Sequence, residues 1–249
     1  NIKYGATRSG KTYLDYYVIP KRIRRGIGKP GLTVILGNTK GTLQRNVIEP
    51  LQDIWGTELV SEIKADNTAF LFGEKCYCLG ADNKKHINKI RGPSFKYCYG
   101  DEIATWDEGV FQILKSRLDK PYSKFDGTCN PEGPSHWFKK FLDSDADIYQ
   151  QKYTLYDNPF LAKEVLQALE TEYRGTVFFD RYILGDWKAA EGTIYMLFAD
   201  KTKDFLVDNV KEQLAIVTIG VDYGAGKSKI KFVASGITYN FRNVYVLDE

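Results

Sequence analysis

A phosphate-binding pattern near the start of the chain constrains its fold more than any other feature. The segment Gly5-Ala6-Thr7-Arg8-Ser9-Gly10-Lys11-Thr12, called here the phosphate loop, is a complete GxxxxGK[ST] motif. Such a loop wraps a phosphate chain in backbone N–H groups, while its lysine neutralises the terminal phosphates and its hydroxyl binds Mg²⁺. An apolar segment precedes the loop and a helix-like segment, 11–25, follows it, as this site requires. The sequence predicts a nucleotide site at residues 5–12, with Thr12 as a metal ligand.

A second segment ends in two adjacent carboxylates. Residues 95–100 form a short apolar strand, and Asp101 and Glu102 follow it directly. In nucleotide hydrolysis, one carboxylate at a strand end holds the metal while the next orients the attacking water. We therefore predict that Asp101 binds metal and that Glu102 is the catalytic residue. The same residues also fit a simple strand-to-helix turn in which Asp101 or Asp107 caps a helix.

Composition places the chain among ordinary globular proteins. It has 249 residues, of which 27% are charged and 43% are hydrophobic. Without a signal peptide or an apolar stretch of roughly 20 residues, we expect a cytoplasmic protein with no membrane segment. The four cysteines lack the spacing of a zinc site, and we expect them to pack in the core. They are Cys76, Cys78, Cys98 and Cys129.

Positive charge is concentrated in the first half of the chain. Residues 1–125 contain 21 Lys and Arg against 13 Asp and Glu, whereas residues 126–249 contain 14 against 19. A basic first half suits a polyanion such as nucleic acid. The densest run is 21–25, at the end of the predicted helix, where cations also favour the helix dipole. Both interpretations of this run remain open.

The order of the remaining elements predicts an α/β fold with a mostly parallel sheet. Strands are expected at 33–37 and 125–129 and helices at 43–55 and 108–118, because strands that alternate with helices form parallel sheets with right-handed crossovers. The short β segments 59–63, 69–72 and 76–79 are expected as antiparallel additions. Ligands of such sheets lie at the carboxyl ends of the strands.

Asn130 follows the strand 125–129 and is therefore expected at this ligand-binding edge. An amide there can sense a terminal phosphate and pass the change to a neighbouring element. Because Pro131 comes next, Asn130 could equally start a turn.

The second half of the chain suggests two further parts. We predict a P-loop domain at 1–148 and a helical subdomain at 149–212, with helices at 162–173 and 176–184. A new β domain begins at 213–249, with strands at 214–220, 230–236 and 243–247. Asp222, after the first of these strands, is either a turn residue or a ligand in a metal nuclease of the RNase H type.

Together, these residues resemble the large terminase subunit of tailed double-stranded DNA bacteriophages. The phosphate loop resembles its Walker A motif, Tyr97 to Glu102 its Walker B motif, and Thr128 to Phe138 its coupling motif and trailing sequence. The segments Asp157 to Phe160 and Leu184 to Trp187 resemble its linker subdomain. Gly220 to Gly224 resembles the first metal-binding strand of its RNase H-like nuclease.

This resemblance implies an ATP-hydrolysing motor that packages viral DNA, with Mg²⁺ at the ATPase site and Mg²⁺ or Mn²⁺ at the nuclease. The implied partners are double-stranded DNA, the portal protein and the small terminase subunit. A homo-oligomeric ring is expected on the portal, in the host cytoplasm, docked transiently on the procapsid. The family's adenine segment should precede Gly5 and its other nuclease carboxylates should follow Glu249, so we expect ATPase parts without DNA cleavage.

An arginine should stabilise charge in the transition state. Arg8 could act within its own subunit, whereas Arg91 and Arg117 could act on a neighbouring subunit or simply form surface ion pairs. Two other functions remain possible on the sequence alone. One is another additional-strand P-loop ATPase, such as a helicase or recombination motor, and the other is a nucleotide-gated scaffold with negligible turnover.

Overall fold

The computed structural model describes residues 1–82, 92–189, 201–222 and 231–248. The chain divides into two compact units, Asn1–Asp200 and Lys201–Glu249. In the described residues, no helix is both long enough and apolar enough to cross a bilayer.

A seven-stranded sheet forms the centre of the first unit. Its strands are β1 (Ile2–Gly5), β2 (Leu32–Gly37), β3 (Thr68–Leu71), β4 (Glu74–Gly80), β5 (Phe95–Gly100), β6 (Lys124–Cys129) and β7 (Gln150–Tyr153), in the spatial order β3-β4-β2-β5-β6-β1-β7. Every neighbouring pair is parallel except β3 and β4. The predicted fold class, a mostly parallel α/β sheet, is confirmed.

Helices cover both faces of this sheet. They are α1 (Lys11–Gly26), α2 (residues 40–55), α3 (Glu108–Arg117), α4 (Trp137–Leu142) and α5 (Lys163–Tyr173). Short 3-10 turns occur at Ile103–Thr105 and Leu155–Asp157, and a π turn at Phe179–Ile183. One core cluster lies around Phe111, which packs edge-on against Phe138 and Phe141. A second lies under α1 and α2, around Ile19, Val47 and Tyr99.

Two expectations about the sheet need correction. The segment 76–79 is expected from the sequence as an antiparallel addition, and its strand β4 does pair antiparallel with β3, where Ala69 lies opposite Cys76. On its other edge, however, β4 pairs in parallel with β2, where Ile35 lies opposite Cys78. Only β3 is antiparallel. The segment 59–63 forms no strand of its own: it makes a single antiparallel bridge, Val60 to Leu71, and a few backbone hydrogen bonds, such as that from the Ser61 N–H to the Phe70 carbonyl. The four cysteines are free and buried, as predicted.

Two ion pairs, each with a buried carboxylate, fix α1 on the sheet. Near its start, Lys3 Nζ of β1 lies 2.5 Å from Asp15 Oδ1, and both side chains are buried. Near its end, Arg22 donates to both carboxylate oxygens of Asp126 on β6, at 2.7 and 3.2 Å. Breaking a buried pair leaves an uncompensated charge, so these contacts hold the helix in a definite position over β1 and β6.

Two prolines connect α1 to α2. Proline has no N–H group, so the carbonyl four residues earlier in a helix loses its partner. Pro20 frees the Tyr16 carbonyl, which accepts a hydrogen bond from Trp55 Nε1 at 3.0 Å. Pro50 frees the Asn46 carbonyl, which accepts one from the Tyr16 hydroxyl at 2.7 Å. Each helix therefore satisfies the carbonyl that proline exposes in the other.

The interior of α2 is irregular where it approaches β5. The helix begins with a capping box at Thr39 and has a π turn, Gln44–Ile48, between Lys40–Leu43 and Glu49–Trp55. The sequence predicts its end but places its start three residues late, at residue 43. Such π turns inside α-helices are frequent at functional sites.

Residues 150–189 are the last described part of the first unit. Strand β7 extends the sheet beside β1, so the sheet continues past residue 148, where the sequence predicts the first domain to end. The helix α5 and the π turn match the two predicted helices, and Leu155 and Ile183 pack on Ala6 of the phosphate loop. The division into three domains stays a prediction.

The second unit contains a short helix, α6 (Thr202–Phe205), and an antiparallel sheet. Its strands are β8 (Leu214–Asp222), β9 (Lys231–Thr238) and β10 (Val244–Asp248), in the order β10-β9-β8. All three strands that the sequence predicts in this region are present.

Candidate active site

The phosphate loop lies between β1 and α1, at the carboxyl edge of the sheet. Gly10 has φ +84°, a left-handed conformation that glycine adopts without strain, and it caps α1. Lys11 Nζ donates to Asn130 Oδ1 at 2.6 Å and to the Ala6 carbonyl at 3.0 Å. The contact with Asn130 forms because β6 lies directly beside β1. Burial lowers the pKa of Lys11 to about 8.

Asp101 follows β5 on the other side of β6. It is 4% exposed, and its Oδ1 accepts a hydrogen bond from Thr128 Oγ1 at 2.9 Å. Burial, together with the charge of Glu102, raises the pKa of Asp101 to about 6. Hydrogen bonds from Thr128 and Asn46 oppose this rise because they favour the ionised form.

Glu102 adopts a strained backbone conformation. Its φ is +52°, in the left-handed region that non-glycine residues rarely occupy. Its N–H donates to Thr128 Oγ1 at 3.4 Å, and its carbonyl accepts from Thr105 Oγ1 at 2.8 Å. Such strain persists where surrounding contacts enforce it and is common at active sites. The helix-capping alternative applies to Asp107, which caps α3, and not to the buried Asp101.

A cleft of about 250 Å³, called here the central cleft, brings the predicted residues together. It is lined by Lys11, Thr12, Tyr16, Asn46, Pro50, Asp101, Glu102, Thr128, Cys129 and Asn130. The hydroxyl of Thr12 and the carboxylate of Asp101 are hard oxygen donors, the type that Mg²⁺ prefers. The residues present therefore fit a magnesium-bound phosphate chain over Lys11.

Three lining residues, Tyr16, Asn46 and Pro50, belong to no motif that the sequence singles out. Tyr16 of α1 and Asn46 and Pro50 of α2 together close one wall of the cleft. The sequence carries one signal for Asn46, because Pro50 four residues later must free its carbonyl. Thr128 is the first residue of the segment that resembles the coupling motif, but its contacts with both residues of the acidic pair depend on the register of β6 beside β5.

Arg8 borders a different cleft. Its φ is +60°, and its carbonyl accepts a hydrogen bond from Asn158 Nδ2 at 2.7 Å. This flanking cleft, of about 400 Å³, is lined by Arg8, Thr7 and Asn130 together with residues from α5 and the 179–183 turn. Arg181 of that turn lies 3.7 Å from Glu132. Arg8 therefore belongs to the phosphate loop but is not among the residues that line the central cleft.

Gly185 packs directly against the backbone of the phosphate loop. A Cβ atom at this position would lie 2.7 Å from Gly5 Cα, 2.8 Å from Ala6 N and 2.5 Å from the Tyr153 carbonyl oxygen. Its φ is also positive, at +69°. Only glycine fits, so the segment after α5 packs backbone to backbone on the loop.

The other predicted residues lie elsewhere. Arg117 ends α3, and its Nη1 donates to the Gly92 carbonyl at 3.4 Å, beside the start of β5. It therefore lies outside this chain's own central cleft. Arg91 lies outside the described residues. Asp222 is the last residue of β8, in the second unit.

The chain resembles known phage proteins in sequence and structure. Residues 2–199 match the family described as terminase large subunit, T4likevirus-type, N-terminal. Among curated proteins, none has a matching sequence. The large terminase from a thermophilic bacteriophage, called here the thermophilic terminase, is 30% identical, with a TM-score of 0.67 over 99% of this chain and 63% of that one.

Two further structures support the same fold. The thermophilic terminase in complex with ATP-gamma-S is 28% identical, with a TM-score of 0.63 over 99% of this chain and 62% of that one. The large terminase of bacteriophage HK97 is 14% identical, with a TM-score of 0.53 over 98% and 58%, which shows the fold alone.

These relatives are longer than the chain, which spans less than two thirds of the thermophilic terminase. The family match nevertheless covers most of the chain, from β1 to the end of the first unit, and includes every residue of the central cleft. The chain belongs to the terminase large subunit family of the T4-like virus type.

Proposed function

We propose that this chain hydrolyses ATP to drive the packaging of double-stranded DNA. One observation carries the proposal: Lys11 of the phosphate loop and the Asp101–Glu102 pair line the same cleft, although 90 residues separate them. The thermophilic terminase, which binds ADP and ATP-gamma-S, supports ATP as the nucleotide.

Each residue of the central cleft has a distinct task in this reaction. Backbone N–H groups of residues 5–12 hold the phosphates, and Lys11 neutralises charge on the terminal one. Thr12 and Asp101 would hold Mg²⁺, which when bound neutralises charge on the phosphate oxygens. Glu102 orients the attacking water and accepts its proton. Asn130, already bonded to Lys11, detects whether the terminal phosphate is present.

Arginines supply the remaining positive charge. Arg8 would act within its own subunit, since it belongs to the phosphate loop. Arg117 and Arg91 would act on the nucleotide of a neighbouring subunit, which requires a homo-oligomeric ring. Removing such an arginine typically lowers turnover 10³- to 10⁵-fold.

The partners follow from the family. They are double-stranded DNA, the portal protein on which the ring assembles, and the small terminase subunit. The motor would work in the host cytoplasm while docked on the procapsid. Residues 149–212 would link the ATPase domain, 1–148, to the β domain that begins at 213.

That β domain would be the start of an RNase H-like nuclease. Asp222 at the end of β8 would provide one ligand for Mg²⁺ or Mn²⁺, and metal nucleases need further carboxylates from later elements. We therefore expect no DNA cleavage by residues 1–249. Plasmid cutting with Mn²⁺ that Asp222→Ala abolishes would contradict this.

The direct test is ATP turnover by the purified chain with Mg²⁺ and with EDTA. We expect metal-dependent turnover that DNA stimulates and that Lys11→Ala lowers at least about a hundredfold, because the variant loses the charge on the phosphates. Lys163→Ala, which removes an exposed lysine on α5, is the matched control and should change nothing. A chain that binds ATP but does not hydrolyse it, with or without DNA, would be a scaffold and not a motor.

A further inference from the structure

A basic cleft lies at the edge of the sheet opposite the central cleft. It has a volume of about 190 Å³ and is formed by the end of α1 and the first residues of β5 and β6. Five of its eight lining residues are cations, and none is an acid. These cations are Arg22, Arg25, Lys29, Lys96 and Lys124.

Two of the five have structural partners. Arg22 is bonded to both oxygens of the fully buried Asp126. Lys96, whose side chain is 4% exposed, lies 2.8 Å from Glu74 Oε1 and also donates to the Lys29 carbonyl at 3.2 Å. These two pairs neutralise the floor of the cleft and fix its shape.

The other three, Arg25, Lys29 and Lys124, are exposed at the rim. Within the described parts of the chain, no ion pair joins any of them to a carboxylate. Lys29 Nζ is held 5.3 Å from the centre of the Tyr122 ring, and the Tyr122 hydroxyl is bonded to the Pro30 carbonyl. The rim therefore carries an excess of positive charge in a defined arrangement.

The dipole of α1 accounts for only part of this excess. Cations within the last turn of a helix gain about 0.3–1 kcal/mol from the dipole. Arg25 is in that turn, but Lys29 lies beyond the helix and Lys124 belongs to β6. Three exposed cations from separate elements repel one another unless an anion joins them. The structure thus separates the basic run 21–25 into a structural residue, Arg22, and exposed cations, of which Arg25 lines the basic cleft.

We propose that the basic cleft binds backbone phosphates of double-stranded DNA. This inference rests on the proposed packaging function, because that function provides the polyanion. Lysine and arginine contacts to phosphates are independent of sequence, as a translocating motor requires. Arg25 provides the planar fork that holds one phosphate bidentately, and Lys29 and Lys124 act as point charges.

The position of the cleft separates DNA contact from ATP chemistry. Helix α1 has 16 residues and is therefore about 24 Å long, with Lys11 at one end and the cleft at the other. Neutralising the rim should consequently leave basal turnover unchanged. A DNA phosphate bound there would act on the phosphate loop only through α1, which two ion pairs to buried carboxylates hold on the sheet.

The test compares DNA binding by two triple variants of the full chain. The first is Arg25→Ala/Lys29→Ala/Lys124→Ala, and the charge-matched control is Lys64→Ala/Lys75→Ala/Lys163→Ala, which removes exposed lysines elsewhere. Kd for a duplex of about 30 base pairs is measured between about 50 and 200 mM salt. A conservative variant, Arg25→Lys/Lys29→Arg/Lys124→Arg, keeps the charge while changing the side chains.

For the rim variant, we expect the negative slope of the log association constant against log salt concentration to become shallower by about 2 to 3. Each lost phosphate contact accounts for about 0.9 of this slope. Binding at the lowest salt should weaken at least about tenfold, while basal ATP turnover stays normal and DNA stimulation is lost. The conservative variant should keep the wild-type slope.

Three results would overturn the inference. One is an unchanged slope in the rim variant, and another is an equal loss in the control variant. The third is a rim variant that loses binding of inorganic phosphate but keeps full affinity for DNA, which would make the cleft a site for small anions. In each case, normal Mg²⁺-dependent turnover that is sensitive to Lys11→Ala would leave the proposed ATPase function standing.

Discussion

Thr128 is the residue on which the geometry of the acidic pair depends most. Its hydroxyl donates to Asp101 Oδ1 and accepts from the Glu102 N–H, so one side chain positions both carboxylate residues. It can do this because β6 lies directly beside β5, with Gly127 opposite Gly100. The hydrogen bond to Asp101 favours the ionised carboxylate, which is the form that binds metal.

A pH dependence follows from this contact. The pKa of Asp101 is raised to about 6, so protons compete with Mg²⁺ at this residue below that pH. We expect the Mg²⁺ concentration for half-maximal turnover to be constant above about pH 7 and to rise up to about tenfold per unit below pH 6. In Thr128→Val, the pKa of Asp101 rises further, and the same increase should begin at a higher pH.

Thr128→Ser keeps the hydroxyl and is the matched control, with a wild-type profile expected. Turnover measured over a grid of pH and Mg²⁺ concentrations checks both variants. Identical profiles for Thr128→Val and the wild type would show that this hydrogen bond does not control Asp101.

At this scale, the sequence predicts the residues that belong to motifs. Lys11, Thr12, Asp101, Glu102 and Asn130 all line the central cleft, as their positions at strand and helix ends imply. Residues that act through neighbouring strands or helices could not be found in the same way, because a contact such as Thr128 to Asp101 depends on register and not on spacing along the chain.

At the scale of elements, the two helices beside the central cleft are joined by carbonyls that proline exposes. Tyr16 takes part in both contacts, as an acceptor through its carbonyl and as a donor through its hydroxyl. This link holds the π turn of α2 against the site and keeps Asn46 in its wall.

Tyr16→Phe should therefore destabilise the chain. The variant leaves the Asn46 carbonyl without its donor, at a cost of about 1–3 kcal/mol in the free energy of unfolding. Urea unfolding should show a lower midpoint with an unchanged slope. Tyr13→Phe is the control, because the Tyr13 hydroxyl meets only the exposed Tyr17 hydroxyl, and its midpoint should barely move. Equal effects of the two substitutions would count against this link.

The contact between Gly185 and the phosphate loop gives a second prediction. In Gly185→Ala, the new methyl group must displace Gly5, Ala6 or the Tyr153 carbonyl, so we expect ATP affinity to fall at least about tenfold, the change that 1.4 kcal/mol produces. Gly175→Ala is the control, because its φ is also positive, at +80°, but no atom lies within 4 Å of the new Cβ.

Isothermal titration with a nonhydrolysable ATP analogue measures both variants. If Gly175→Ala weakens binding as much as Gly185→Ala, then backbone strain and not displacement of the loop is responsible. The sequence predicts a helical subdomain here, but it could not show that a glycine after the subdomain touches the loop, because that approach joins residues 180 positions apart.

For the whole molecule, the candidate ATPase residues all belong to the first unit, and β8–β10 form a separate compact unit. The sequence predicts this change of architecture near residue 213 from the succession of three strands. It could not predict that β7 joins the main sheet, since only the pairing of β7 with β1 reveals it.

Hydrogen exchange should report this separation. A bound nucleotide protects the segments that contact it and stabilises the unit that holds it, by about 2.7 kcal/mol at a ligand concentration of 100 times Kd. With Mg²⁺ and a nonhydrolysable ATP analogue, we expect protection at residues 5–12, at the ends of β5 and β6, and at residues 155–185. The strands β8–β10 should exchange as before. Equal protection of those strands would contradict a nucleotide site confined to the first unit.

The central claim is that Glu102 activates water for attack on a phosphate chain held by Lys11. Single-turnover ATP hydrolysis by Glu102→Gln, with ATP binding measured on the same samples, tests it most directly. We expect near-normal ATP binding and hydrolysis at least about a hundredfold slower, since the amide cannot accept the proton. Hydrolysis at close to the wild-type rate would show that Glu102 does not activate the water.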